Sequence, residues 1–284
     1  MMSDVYRIAA FAQGNKGGNP AGVMISEAML PDQQMLAIAH EVGYSETAFF
    51  YPQEGGWRTR YFAPEIEVPF CGHATIATGA LLGEKFGEGR YSLTLNDGNI
   101  TVDVEQNDNG GFLVALQSPK TSSQDVSEAF VDSFLQHFNF GKEALDPAFP
   151  VRIASGGARH LILMLKDKPT LEKMAYEFEP VKALMLENSF ATISLLYRDA
   201  EGLFHSRNAF ASGGVYEDPA TGAAAAALAG YLRDINWPEA DPDNGYSFDI
   251  LQGEDMGSPS SLRVSFTEVP GSSIRVSGEA RHIT

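Results

Sequence analysis

A single cysteine, Cys71, stands in a chain of 284 residues. One thiol cannot close an intramolecular disulfide and has no second thiol with which to build a zinc site, so the sequence carries no mark of an oxidising compartment. Basic residues are scarce as well, 20 Lys and Arg against 37 Asp and Glu, for a net charge of -17. A phosphate-backbone partner requires a basic stripe to release counterions, and its lack excludes nucleic acid as a partner. The acidity reads as a source of solubility. No uncharged apolar run reaches the length of a bilayer span, and the N-terminal MMSDVYRIAAFAQGNKGG has neither the basic region nor the sustained apolar core of a secretory leader. No membrane contact is expected, and a cytoplasmic location is.

Recognised chemical fingerprints are missing too. The six histidines show no His-x-His or His-Glu-x-x-His spacing, so no metal is expected. The glycine-rich turn from Gly14 to Pro20 is not followed by Gly-Lys-Ser/Thr, no dinucleotide fingerprint occurs, and Gly43-Tyr44-Ser45-Glu46-Thr47 lacks the second glycine of a nucleophile elbow. No cofactor is expected. The chemistry left is proton transfer by side chains.

What the chain does have is a substantial apolar content, 44%, enough for one large domain or two ordinary ones. The stretch from Arg60 to Leu82, RYFAPEIEVPFCGHATIATGALL, carries no charge between Val68 and Gly83 apart from a protonatable His73. A surface helix would show a polar face; this one predicts a helix buried on nearly all sides, with Ala74, Ala77, Gly79 and Ala80 admitting other backbone closely. Its N-terminus holds Cys71 and His73 at the positive end of the helix dipole. Cys71 is a small core residue on one reading and a base or nucleophile on another.

Along the chain, strands are expected over 5–11, 22–25, 44–50, 91–95, 100–105, 112–117, 151–155, 160–165, 191–197 and 273–279. Helices are expected over 31–41, 126–138 and 171–186. Asn96-Asp97-Gly98-Asn99 signals a hairpin, as does Asn107-Asp108-Asn109-Gly110, and the polar run 118–124 reads as a linker. Glu46, among strand residues, is either an outward-facing carboxylate or a buried acid/base.

The opening stretch has an echo in Arg207 to Leu232, RNAFASGGVYEDPATGAAAAALAGYL. Arg60 precedes Cys71 by eleven residues, Arg207 precedes Asp218 by eleven, and each run ends in a charge-free helix of small residues. Asp218 followed by Pro219 predicts an N-cap and first helical position. The repeat implies two similar halves with helix N-termini that suit an anion.

Taken together, Asn19-Pro20-Ala21-Gly22, Ser45-Glu46-Thr47-Ala48, Pro69-Phe70-Cys71-Gly72-His73-Ala74-Thr75 and Glu217-Asp218-Pro219-Ala220-Thr221-Gly222 resemble the PhzF-like family of phenazine-biosynthesis-type isomerases. The resemblance implies a diaminopimelate epimerase-like α+β fold: two pseudo-symmetric lobes, each a largely antiparallel mixed sheet wrapped round a central buried helix. Lobes are expected at 1–118, joined by a returning strand at about 270–284, and at 119–269, with the active site between them and a homodimer as the assembly. Glu46, His73 and Asp218 match the catalytic residues of the family. Asn19, Ser45, Cys71, Gly72, Gly156, Gly157, Thr221 and Gly222 match its substrate-binding segments. In the related epimerases two cysteines occupy the opposed helix starts, placed here at Cys71 and Asp218, so one of the two thiols is missing. The expected function is a cofactor-independent isomerase or epimerase acting on a small carboxylate-bearing amino or hydroxy compound. The alternative is a ligand-binding or regulatory member of the fold, as Ala223 and Ser258, where the family often has Ser and Arg, allow.

Overall fold

Apolar residues after Val5 give the first strand, Tyr6–Ala10 (β1), and the chain turns through Gly17 and Gly18, both in the left-handed region, into Asn19–Ile25 (β2). The computed structural model describes residues 5–107, 111–237 and 245–283. Two units are distinguished, Met1–Gln117 with Ser277–Thr284, and Ser118–Val276.

In the first unit, Asp32–Val42 (α1) ends at Gly43, whose φ of 73° caps the helix in the left-handed conformation. Thr47–Gln53 (β3), Gly56–Phe62 (β4) and the short Glu67–Val68 (β5) lead to Gly72–Phe86 (α2). Gly89–Thr94 (β6), Asn99–Gln106 (β7) and Phe112–Gln117 (β8) follow, with β6 and β7 joined in register Thr94↔Asn99 at the Asn96-Asp97-Gly98 turn. Antiparallel pairs join β1 to β2, β3 to β4, β6 to β7 and β7 to β8, while β2 to β3 and β4 to β6 are parallel. The last strand, Arg275–His282 (β17 in chain order), pairs with both β1 and β8 and closes the ring into a barrel. Through it runs α2, in contact with β1, β2, β3, β7 and β8. Ile76, Leu81 and Leu82 are fully buried, worth about 1.5–3 kcal/mol each. Close approach is set by glycine: a Cβ on Gly79 would stand 2.4 Å from Val114 Cγ1, and one on Gly83 2.6 Å from Val104 Cγ1.

The second unit repeats the order of pairings. Ser122–Asp125 (β9), Arg152–Ser155 (β10), Arg159–Met164 (β11), Thr192–Arg198 (β12), Phe204–Ala209 (β13), Tyr246–Gln252 (β15) and Ser260–Phe266 (β16) run side by side. The β11–β12 and β13–β15 pairs are parallel and the others antiparallel. Glu217–Asp218 (β14) pairs with β13 as β5 does with β4, and Gly222–Asp234 (α6) packs on β9, β10, β11 and β16. Glu128–Leu135 (α3), Lys168–Glu172 (α4) and Phe178–Glu187 (α5) supply a second layer, with Phe134, Leu171, Val181 and Met185 packed in a core cluster with Leu163 and Leu195.

Four expectations change. The polar run 118–124 is no free linker, because Ser122 to Asp125 pair with β10. The helix expected over 171–186 is two: Asp167 caps α4, accepting from Thr170 N–H at 2.8 Å, and the chain breaks before α5 begins at Phe178. The strand expected from Tyr44 begins only at Thr47, which leaves Ser45 and Glu46 on the turn before it. Asp218 is not the cap of α6 but a strand residue; the N-cap is Thr221. The Asp-Pro signature fails because Asp218 is held extended by its pairing with Asn208. The expected turn at Asn107-Asp108-Asn109-Gly110 falls on 108–110, outside the described residues.

Candidate active site

The start of α2 sets the first group of functional side chains. Cys71 is the N-cap, in extended conformation, and its carbonyl accepts from Thr75 N–H at 3.0 Å and from the Thr75 hydroxyl at 2.7 Å. With the Thr75 proton so used, the buried Tyr61 hydroxyl, 2.6 Å away, donates to Thr75, and burial pushes the Tyr61 phenol well above its usual range. This pins the first helical turn. His73, on that turn and buried, then has one ring nitrogen on each side: Nδ1 lies 3.4 Å from Cys71 Sγ, and Nε2 lies 3.4 Å from Ser45 Oγ and 3.4 Å from Glu46 Oε2.

Glu46 does not face outward. Its side chain is 13% exposed, its carbonyl is fixed by Gly22 N–H at 3.2 Å, and Oε2 is buried with no hydrogen-bond partner. A buried carboxylate oxygen without a hydrogen-bond partner thus stands beside the imidazole of the first turn of α2, a turn that has no acidic residue of its own. One ligand atom from each of Glu46, Cys71 and His73 also lies within 4.8 Å of the others, a set that a thiophilic divalent cation could use. Asn19, buried, opens β2 in register with Ala10.

The second unit gathers Asp218, Thr221 and Gly222. Arg207 of β13 holds Glu217 of β14 through two bonds, 3.0 and 2.6 Å, as Arg60 of β4 holds Glu67 of β5 at 2.7 and 2.6 Å. Each Glu precedes a helix N-cap by four residues, so Cys71 corresponds to Thr221, and Asp218 to Val68. The eleven-residue echo paired the wrong positions, because the segment from Phe210 to Tyr216 inserts a short helical turn, Ala211–Gly213, before β14. At the N-cap of α6, where α2 has a thiol, this chain has the Thr221 hydroxyl. Gly222 opens α6, and the position equivalent to His73 is Ala223.

Two buried amides complete this group. Asn208 donates to Thr221 Oγ1 at 3.1 Å; Gln252 donates to the Asp218 carbonyl at 2.6 Å and accepts from Thr221 N–H at 3.2 Å. Gly156 packs directly on α6: a Cβ there would sit 2.7 Å from Ala227 N and 3.0 Å from the Ala223 carbonyl. Gly157, exposed and at φ 112°, turns the chain from β10 into β11.

With this geometry in place, comparison with known proteins is specific. The family model of the phenazine biosynthesis-like proteins matches residues 8–284. An uncharacterized isomerase of Mesorhizobium japonicum, mll1393, is 31% identical over 95% of this chain and 93% of its own length. The trans-2,3-dihydro-3-hydroxyanthranilate isomerase of Pseudomonas aeruginosa is 28% identical over 93% of this chain and 94% of its own. Among solved structures, a Bacillus anthracis phenazine biosynthesis protein of the PhzF family superposes with a TM-score of 0.87 at 25% identity, covering 99% of this chain and 97% of that one. A barrel threaded by a small-residue helix, its pairing order repeated in the second unit, and a match over almost the whole sequence together make this chain an isomerase of the phenazine biosynthesis-like protein family.

Proposed function

We propose that the protein is a cofactor-independent isomerase that moves a proton within a small carboxylate-bearing amino or hydroxy compound. The observation that carries this is the buried Glu46 Oε2, without a hydrogen-bond partner and 3.4 Å from His73 Nε2. Glu46 takes a proton from carbon and returns it at another position. His73 holds the amine or hydroxyl and carries protons between the substrate and Glu46, its ring fixed by Ser45 on one nitrogen and Cys71 on the other. Asp218 is proposed to hold the amine or hydroxyl as well. Positioned acid/base groups of this kind contribute about a hundredfold to ten-thousandfold. The backbone N–H groups of Gly72 and His73, at the first turn of α2, are the donors for the substrate carboxylate. Each helix end favours a negative charge by about 0.3–1 kcal/mol, and by up to about 2 when partly buried.

The compound named for the Pseudomonas aeruginosa relative bears a carboxylate, an amine and a hydroxyl, which fits this reading and makes it the first compound to test. Turnover in deuterium oxide, followed by mass spectrometry of the recovered compound and of a panel of amino and hydroxy acids, is expected to show solvent deuterium on carbon. Full exchange by Glu46→Gln would remove Glu46 from its role. The assembly is proposed to be a homodimer, to be checked by sedimentation equilibrium. A binding-only role is not favoured, since the curated relatives are named isomerases.

A further inference from the structure

The second unit contains a line of hydrogen bonds that runs across its strands and ends on Asp218. His160 on β11 is fully buried, and its Nδ1 lies 2.8 Å from Thr192 Oγ1 on β12. The Thr192 hydroxyl donates to Asn208 Oδ1 on β13 at 3.3 Å. Asn208 Nδ2 donates to Thr221 Oγ1 at 3.1 Å, and the Thr221 hydroxyl is bonded to Asp218 Oδ2. Strand register makes the line: His160 stands opposite Thr192, and Asn208 opposite Asp218. Gln252, at the end of β15, braces its last link from the side. Its Nε2 donates to Thr221 Oγ1 at 3.1 Å and to the Asp218 carbonyl at 2.6 Å, while its Oε1 accepts from Thr221 N–H at 3.2 Å.

The direction of the protons in this line follows from the Gln252 end, from the Asn208 amide with Nδ2 on Thr221, and from the His160 end. A backbone N–H can only donate and a backbone carbonyl can only accept, so the Gln252 amide has one orientation. Asn208 and Gln252 both donate into Thr221 Oγ1, which leaves the single hydroxyl proton of Thr221 for Asp218 Oδ2. Asn208 therefore turns its carbonyl to Thr192, Thr192 donates to it, and Thr192 accepts from His160 Nδ1–H. His160 Nε2 is then a bare lone pair, at an atom that is buried without a hydrogen-bond partner. Reversing the line would place an N–H at that position, and an orphaned buried N–H is the rarer and costlier defect.

We infer that His160, Thr192, Asn208, Thr221 and Gln252 are positioning residues that orient the Asp218 carboxylate and hold it in its ionised form. Hydrogen bonding to a carboxylate favours its charged state. Arg207 of β13 is held by Glu217 and lies 3.5 Å from Asp255, His205 of β13 lies between Asp199 and Glu254, and the first turn of α6 has no acidic residue. Burial drives the His160 pKa down to about 3, so its ring stays neutral and its tautomer fixed. The inference rests on the role proposed above for Asp218.

Two measurements on the intact protein test it without a substrate. Carboxyl carbon NMR of Asp-labelled protein, with Asp218→Asn for assignment, follows the Asp218 titration. Thr221→Val keeps the shape of the side chain and removes its hydroxyl, and should lower the Asp218 acid dissociation constant on the order of tenfold, with Thr221→Ser restoring it. Nitrogen NMR of His-labelled protein should show His160 as the Nδ1–H tautomer. An unmoved Asp218 midpoint in Thr221→Val, or an Nε2–H tautomer at His160, overturns the inference. Where Thr221→Val does not fold, Thr192→Val takes its place, with a smaller shift in the same direction expected and no shift overturning. Wild-type isotope exchange by Asp218→Asn would instead sink the role of Asp218 in the reaction, an outcome distinct from either NMR result.

Discussion

Two candidate bases face the same imidazole, and single substitutions separate them. Cys71 touches His73 at Nδ1 and Glu46 lies at Nε2. With Glu46 as the base, Cys71→Ala keeps solvent exchange within about tenfold of wild type, while Glu46→Gln loses about a hundredfold to ten-thousandfold. The reverse order in the same assay would assign the proton to the thiol. His160 gives a prediction about stability. Its pKa in the fold is pushed down from 6.5 to about 3, so between these values the unfolded chain binds a proton that the folded chain does not. The stability it contributes is full above about pH 6.5 and is lost as the pH falls toward 3. Urea unfolding should show a midpoint that drops between pH 6.5 and 5, and a smaller drop for His160→Gln.

At the scale of elements, α2 reverses a familiar rule. Gly→Ala inside a helix ordinarily gains about 0.5–1 kcal/mol. At Gly79 the added methyl would lie 2.4 Å from Val114 Cγ1 and 2.6 Å from Val102 Cγ1, so Gly79→Ala is expected to lose about 1–3 kcal/mol, read as a lower urea midpoint. A higher midpoint would show that the barrel yields to the helix. This helix was legible in the sequence because a run of sixteen residues, Val68 to Gly83, with no charge apart from a protonatable His73 has only one kind of place in a fold. The start of α6 was misread for a physical reason. Asp-Pro is a cap signature only where the backbone is free to enter a helix, and pairing with β13 keeps Asp218 extended, three residues before the N-cap Thr221. Single amides in strands, as at Asn208 and Gln252, make no period and no motif. Their partners come together only through strand register.

For the molecule as a whole, the repeat is deeper than the sequence echo suggested, because it extends to the ion pair that ties each central strand to the segment before its helix. The two pairs are not equal. Glu217 is 4% exposed and Glu67 26%, and Glu67 also accepts from Asn96 at 2.7 Å. Arg207→Ala leaves a buried charge without its cation and should cost about 3–5 kcal/mol. Arg60→Ala, with water and Asn96 still at hand, should cost about 1.5–3 kcal/mol. Thermal unfolding of the two variants under one condition checks the order.

One feature of the first barrel bears on how the protein is made. Its closing strand, β17, is Arg275–His282, and β17 is hydrogen-bonded to β1 at the opposite end of the chain, with Ile8 opposite His282. During synthesis the N-terminal barrel therefore emerges first and finishes last. The contiguous Ser118–Val276 unit can complete its own pairings while β1 and β8 still wait with open edges. Domains generally fold in the order in which they leave the ribosome, and here that order is inverted. Until β17 has been made, the growing chain exposes unpaired sheet edges at β1 and β8, the kind of edge on which other strands can add.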